Sequence, residues 1–373
     1  MNMKSIYTLV FMWFSICMYS QTEIDLYKNK NNKQEVKLST IAKNIKYIQL
    51  ETNDDCLLGN ELQVCYTPDY IFIGDQKNGE FYRFGSNGSF LNKIGKQGEG
   101  PEEYTAAIFF HIDESLKHVH IISTQSRMIS TYDYEGNFIN KVRLSQTPWN
   151  IHKLNNNYII YNNRFNRIKG QPDVKELFII DPSGKTQKEI PTTIKNEEDD
   201  MVLFEFPFFY TYKNNLFYKN PINKEVYLLD KDYKLKTAYK INTGDNTRRK
   251  DDFKNIKQYA ERMSVRAISE NNAFVIICYA QNDDFHYMLF DKATKRTTYA
   301  GKSQSGFIDD FNNGPLFRPF YLTQNNHNTL ISVLTSDNIE AQNNLYKNLL
   351  SKYPNLAKRK EDDNPIIGIV QLK

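Results

Sequence analysis

Tyr132-Asp133-Tyr134-Glu135-Gly136 is an aromatic residue running into a tight polar turn that ends on glycine. Turns of the same kind occur at Phe84-Gly85-Ser86-Asn87-Gly88, Ile180-Asp181-Pro182-Ser183-Gly184, Leu229-Asp230-Lys231-Asp232-Tyr233 and Phe290-Asp291-Lys292-Ala293-Thr294. The steps from 85 to 133, 181, 230 and 291 are 48, 48, 49 and 61 residues. Each turn is flanked by short amphipathic runs, such as Tyr70–Ile73 and Phe81–Phe84 before the first turn and Phe90–Ile94 after it. Several short strands repeated every 40–50 residues are the pattern of propeller blades.

Counting outward gives six blades. Runs at 118–144, 158–186, 215–241 and 273–300 supply the second to fifth. The sixth must be assembled from Thr329–Leu334 and Pro365–Leu372, joined by a strand near Ile48. Pairing the two ends of the chain closes the ring and removes an exposed edge. The expected fold is therefore all-β: a six-bladed β-propeller of four-stranded antiparallel blades, with two short helical insertions. Those insertions fall at 251–268 and 339–356, where apolar residues recur at helical spacing. Residues 1–20 read as a signal peptide, 21–39 as an extended N-terminal segment and 40–373 as the propeller.

The leader has one early positive charge (Lys4), an apolar run from Ile6 to Met18 and Ser20 before a cleavage point. Export to the periplasm or medium is expected. Cys17 offers the alternative of a lipid anchor at the outer membrane, and this is the single route to a membrane. Ile16 stands where a lipidation signal wants a small residue. Beyond Cys17 there remain Cys56, Cys65 and Cys278, too few for a disulfide scaffold. Cys56 and Cys65 are near enough in sequence to bridge across a hairpin, while Cys278 reads as a small core hydrophobe. A net charge of +4, with 48 basic residues against 44 acidic ones, is too weak to suggest nucleic acid, and no nucleic-acid partner is expected.

Three stretches resemble a bacterial family of exported six-bladed β-propellers, distantly similar to NHL-repeat propellers. They are Ile94-Gly95-Lys96-Gln97-Gly98-Glu99-Gly100-Pro101-Glu102-Glu103-Tyr104, Tyr239-Lys240-Ile241-Asn242-Thr243-Gly244 and Glu361-Asp362-Asp363-Asn364-Pro365-Ile366-Ile367. The resemblance covers about residues 40 to 373 and implies the fold and export. It implies no reaction.

No motif carries a catalytic assignment. The glycines at 95, 98 and 100 lack the Gly-x-Gly-x-x-Gly spacing of a phosphate loop and read as a rigid connection between blades. A partner could still meet that loop through Glu102, Glu103 and Tyr104. His118 and His120 share one strand face and read as solvent-facing. The aromatic run Phe204–Tyr212 reads as a buried strand entering the fourth blade, with Pro207 at its start, and as a sugar-stacking platform in second place. Arg318 is expected to reach into the channel and pair with a ligand carboxylate or with Asp309 or Asp310. The leading expectation is a non-enzymatic binding or scaffolding module for an extracytoplasmic protein, peptide or glycan, with no cofactor. The alternative is a lactonase or lyase holding calcium or zinc in the central channel.

Overall fold

The computed structural model describes residues 22–162, 175–192, 207–220, 223–247, 252, 255–320, 323–325 and 328–373. The leader with Cys17, Phe204–Phe206, Arg248–Lys250 and His327 lie outside them. Six small antiparallel sheets form a ring, as the repeat predicts. From the inside outward, blade one is 62–66, 70–75, 80–85 and 90–93, and blade two is 107–113, 118–123, 128–133 and 138–143. Blade three is 150–154, 157–161, 175–180 and 186–191; blade four is 208–212, 215–219, 225–229 and 235–242. Blade five is 264–270, 274–281, 284–291 and 297–300.

Blade six joins the two ends of the chain. Ile366–Leu372 pairs on one side with Thr329–Leu334 and on the other with Ala42–Gln49, in the register Ile367↔Ile48. Its innermost segment divides between two blades. Phe320 donates its N–H to the carbonyl of Ile331, while Thr323–Asn325 run parallel to Val64–Tyr66 of blade one.

The core consists of six apolar clusters, one in each gap between neighbouring blades. This explains why strands such as Phe274–Cys278 are apolar throughout instead of alternating. Val275, Ile277 and Tyr279 pack toward blade four, and Ile276 and Cys278 toward blade six. Successive side chains point to opposite faces of a strand, and here both faces are covered.

The recurring turns are the hairpins to the outermost strands. In the first four, the N–H of the fifth quoted residue donates to the carbonyl of the second, as from Gly136 to Asp133. At Asp181 and Asp230 the carboxylate also accepts two backbone N–H groups. Gly88, Gly136 and Gly184 have φ of +90°, +89° and +92°. A Cβ there would lie 2.1, 2.6 and 2.6 Å from the carbonyls of Gln49, Lys93 and Arg143, each at the end of the preceding blade's outer strand. The glycine is needed both for its backbone conformation and for this close approach.

Several expectations need correction. In place of one helix over 251–268 there is a short helix at Ile256–Glu261, followed by the inner strand Ser264–Glu270. Val265 and Ile268 are buried between blades, and packing overrides the helical spacing. The second insertion comprises Ser336–Ala341, Asn343–Leu350 and a 3₁₀ turn, Pro354–Lys358. The N-terminal segment is not simply extended. Thr22–Asp25 and Lys33–Gln34 add parallel strands to the outer edges of blades four and five, with helical turns at Leu26–Asn29 and Leu38–Ile41. Cys56 and Cys65 form no bridge; both are free and buried, in different inter-blade clusters. Cys278 lies in the core as expected.

Candidate functional site

The inner strands surround an axial cavity of about 350 Å³. Phe208, Phe209 and Tyr212 of blade four are among the residues lining it, Phe208 and Tyr212 on the side of blade five and Phe209 on the side of blade three, and Asn150, Asn271 and Asn272 supply amides. A second, wider hollow of about 580 Å³ lies at the hairpins that follow the inner strands of blades two, three and four. His111, His152 and Tyr212 belong to both, so the two spaces adjoin.

Polar contacts fasten the inner strands from blade to blade. The Gln63 amide of blade one donates to the carbonyl of Phe110 and accepts its N–H, both at 3.1 Å, in the manner of a strand edge. Lys153 of blade three pairs with Asp113 of blade two at 2.6 Å. Burial raises the pKa of Asp113, but the Lys153 ammonium and the Ser115 hydroxyl outweigh it and bring the value down to about 2. Asn150 donates to the carbonyl of Pro207 at 2.9 Å. Between blades four and five the Glu270 carboxylate accepts from Tyr210 at 3.1 Å, from the Tyr239 hydroxyl and from Lys292 at 2.5 Å. Lys292 also lies 4.1 Å from the centre of the Tyr212 ring. Asn271 donates to the carbonyl of Lys373 at 3.2 Å, linking blades five and six.

A histidine group lies beside the channel. His111 and His120 face each other across paired strands with ring centres 6.3 Å apart, and His152 of blade three approaches His111 at 4.7 Å. His120 is 2 % exposed, so it does not face solvent as the strand pattern suggests. Its Nδ1 contacts the Thr131 hydroxyl at 2.9 Å, and its Nε2 is buried without a hydrogen-bond partner. Burial, with Lys153 nearby, lowers its pKa to about 3; burial lowers His152 to about 4 and His111 well below the usual value. The three imidazoles are therefore neutral at pH 7. Among the described residues, no three His, Cys, Asp or Glu side chains are grouped so as to hold a metal ion.

The six ligand-contact candidates, Glu102, Glu103, Tyr104, Asp309, Asp310 and Arg318, fall in two separate places, and none of the six is among the residues lining the axial cavity. In the connection between blades one and two, Glu103 accepts from the Gly100 N–H at 2.9 Å and meets Lys96 at 3.1 Å. The Glu102 carbonyl accepts from the Tyr132 hydroxyl, and Tyr104 is buried against Phe81 and Tyr132. Between blades five and six, Asp309 accepts from the Tyr47 hydroxyl at 2.9 Å, and Asp310 accepts from the Ser39 N–H and hydroxyl. Arg318 pairs with Asp284 at 3.5 Å and donates to the carbonyl of Ser305, not to Asp309 or Asp310. That loop turns the aspartates toward the N-terminal segment and leaves Asp284 as the carboxylate within reach.

Of the aromatic run, Phe208–Tyr212 is the strand entering blade four, with Pro207 just before it. It both packs between blades and faces the cavity. Glu270 and Lys292 could not be singled out from sequence. Glu270 is a lone carboxylate at the end of a strand, and Lys292 is one lysine in a repeated turn.

The fold recurs in an exported protein of Bacteroides fragilis, at 19 % identity over 94 % of this chain and 100 % of that one, with a TM-score of 0.71. A member of the DUF4221 family from Bacteroides vulgatus is similar at 11 % identity over 89 % of this chain and 97 % of that one, with a TM-score of 0.56. No curated protein matches the chain. The pattern of the family described as a domain of unknown function, DUF4934, matches residues 21–371, so the chain belongs to the DUF4934 family.

Proposed function

We propose that this propeller is an exported binding module whose axial cavity receives an extracytoplasmic ligand: a protein segment, a peptide or a glycan. The observation that carries the reading is the cavity itself, lined by the aromatic residues Phe208, Phe209 and Tyr212 together with the amides of Asn150, Asn271 and Asn272. A concave space that combines apolar surface with a few convergent polar groups is the usual form of a small-ligand site. Export is supported by the leader. A closer kinship with NHL-repeat propellers rests on the glycine-rich connection and the terminal motif. Under this reading Glu102, Glu103, Tyr104, Arg318, Asp309 and Asp310 could act only as contacts outside the axial cavity.

The test is a ligand panel of capped peptides and soluble oligosaccharides, scored by thermal shift. A ligand present at about 100 times its Kd stabilises the folded state by about 2.7 kcal/mol. At least one class should raise Tm in the wild type, and Phe209→Ala should reduce that rise while remaining folded by circular dichroism. A panel with no responder, or a rise that Phe209→Ala leaves unchanged, would sink the reading.

A further inference from the structure

The walls of the axial cavity contain consecutive residues: 208–213 in blade four and 267–272 in blade five. In a strand, neighbouring side chains point to opposite faces, so an unbroken run along a wall means that the strand's edge faces the space. For blade five the exposed groups can be named. The Asn271 N–H donates to the carbonyl of Phe274. The register Ile268↔Ile277, Ser269↔Ile276, Glu270↔Val275 continues without a bulge. Antiparallel pairs alternate between those that exchange hydrogen bonds and those that do not. Ser269 therefore bonds the second strand, and the N–H and C=O groups of Ile268 and Glu270 point toward the axis. Among the described residues, no strand is paired with that edge.

The inner edges of the two blades across the ring are already occupied. Thr323–Asn325 lie along blade one as an added parallel strand, and the Gln63 amide takes the place of a strand at Phe110 of blade two. The fold thus shows an inner edge accepting an extended backbone inside this channel. We propose that the axial cavity binds an extended peptide segment, which pairs with the inner edge of blade five through Ile268 and Glu270 and rests apolar side chains on Phe208, Phe209 and Tyr212. This rests on the binding reading above and names the ligand class within it. Main-chain pairing supplies affinity in such strand addition, and pockets for alternate side chains supply selectivity.

The probe is a pool of fluorescent, N-acetylated and C-amidated hexapeptides, each spanning roughly 20 Å when extended. The best binder is then resynthesised with N-methyl groups on one set of alternate residues, and separately on the other set. N-methylation removes backbone donors and leaves side chains in place. One set is expected to weaken binding at least about tenfold and the other to have little effect, because alternate N–H groups face the edge. Ser269→Trp, which sets a bulky side chain beside the edge at a residue that lines the cavity, should abolish binding while circular dichroism is unchanged. If that variant does not fold, the paired N-methyl comparison on the wild type decides. Equal tolerance of both methylated sets overturns the inference, as does persistent binding to a folded Ser269→Trp. Binding of oligosaccharides with no peptide response overturns the peptide inference and leaves the binding reading standing. Silence from both classes removes both.

Discussion

Gly184 has φ +92°, and its Cα lies where a methyl group would come within 2.6 Å of the Arg143 carbonyl. Gly184→Ala should cost about 1–3 kcal/mol, the range for non-glycine residues forced into sparsely populated backbone conformations. Chemical denaturation measures it; a neutral result would mean that the turn does not lock blade three onto blade two. The buried imidazoles give a second expectation. His111, His120 and His152 are held neutral in the folded chain. Unfolded histidines take up protons near pH 6.5. Below that pH the unfolded state binds more protons than the folded one, so stability falls as pH drops toward the folded values of about 4 and about 3. Between pH 7.5 and 5.0, His120→Gln should lose less stability than the wild type by up to about 2 kcal/mol, read from urea midpoints. Parallel losses in the two proteins would contradict the buried, neutral assignment.

Among the elements, the N-terminal strap was the hardest to read. Its polar composition conceals Ile24 and Leu26, which are buried in the cluster between blades four and five. Thr22–Asp25 also covers the outer edge of blade four, an arrangement that limits edge-to-edge association. Ile24→Ala should destabilise by about 2–5 kcal/mol through the cavity it leaves. A loss below about 1 kcal/mol in urea unfolding would show that the strap packs loosely. The strands flanking each turn were legible because hairpins need a few tightly specified residues between amphipathic runs. The inner strand Ser264–Glu270 was not, since Met263, Ala267 and Ile268 fit a helical stripe equally well until neighbouring sheets bury both of its faces.

At the scale of the molecule, closure rests on the pairing of Ile366–Leu372 with Ala42–Gln49. Deleting residues 366–373 would uncover the apolar clusters on both sides of blade six. The shortened chain should lose cooperative unfolding and become sensitive to dilute protease throughout. Retention of a sharp thermal transition would show that five blades close without the sixth. The wall of the cavity also belongs to this scale, because it takes residues from blades two to six and from the inner edge of blade one.

The spacing of the turns, the apolar runs beside them and the two terminal strands determined the blade number and the closure of the ring, because each depends on contacts local in sequence or on one simple pairing of ends. Tertiary structure decided the rest. Arg318 meets Asp284 instead of Asp309 or Asp310, His120 is buried against His111 and Tyr158, and Glu270 joins Lys292, Tyr210 and Tyr239. These partners come from different strands or blades, and the twist and stacking of whole sheets bring them together. The same holds for the open edge of blade five, which became visible as an edge when the ring placed it beside a cavity.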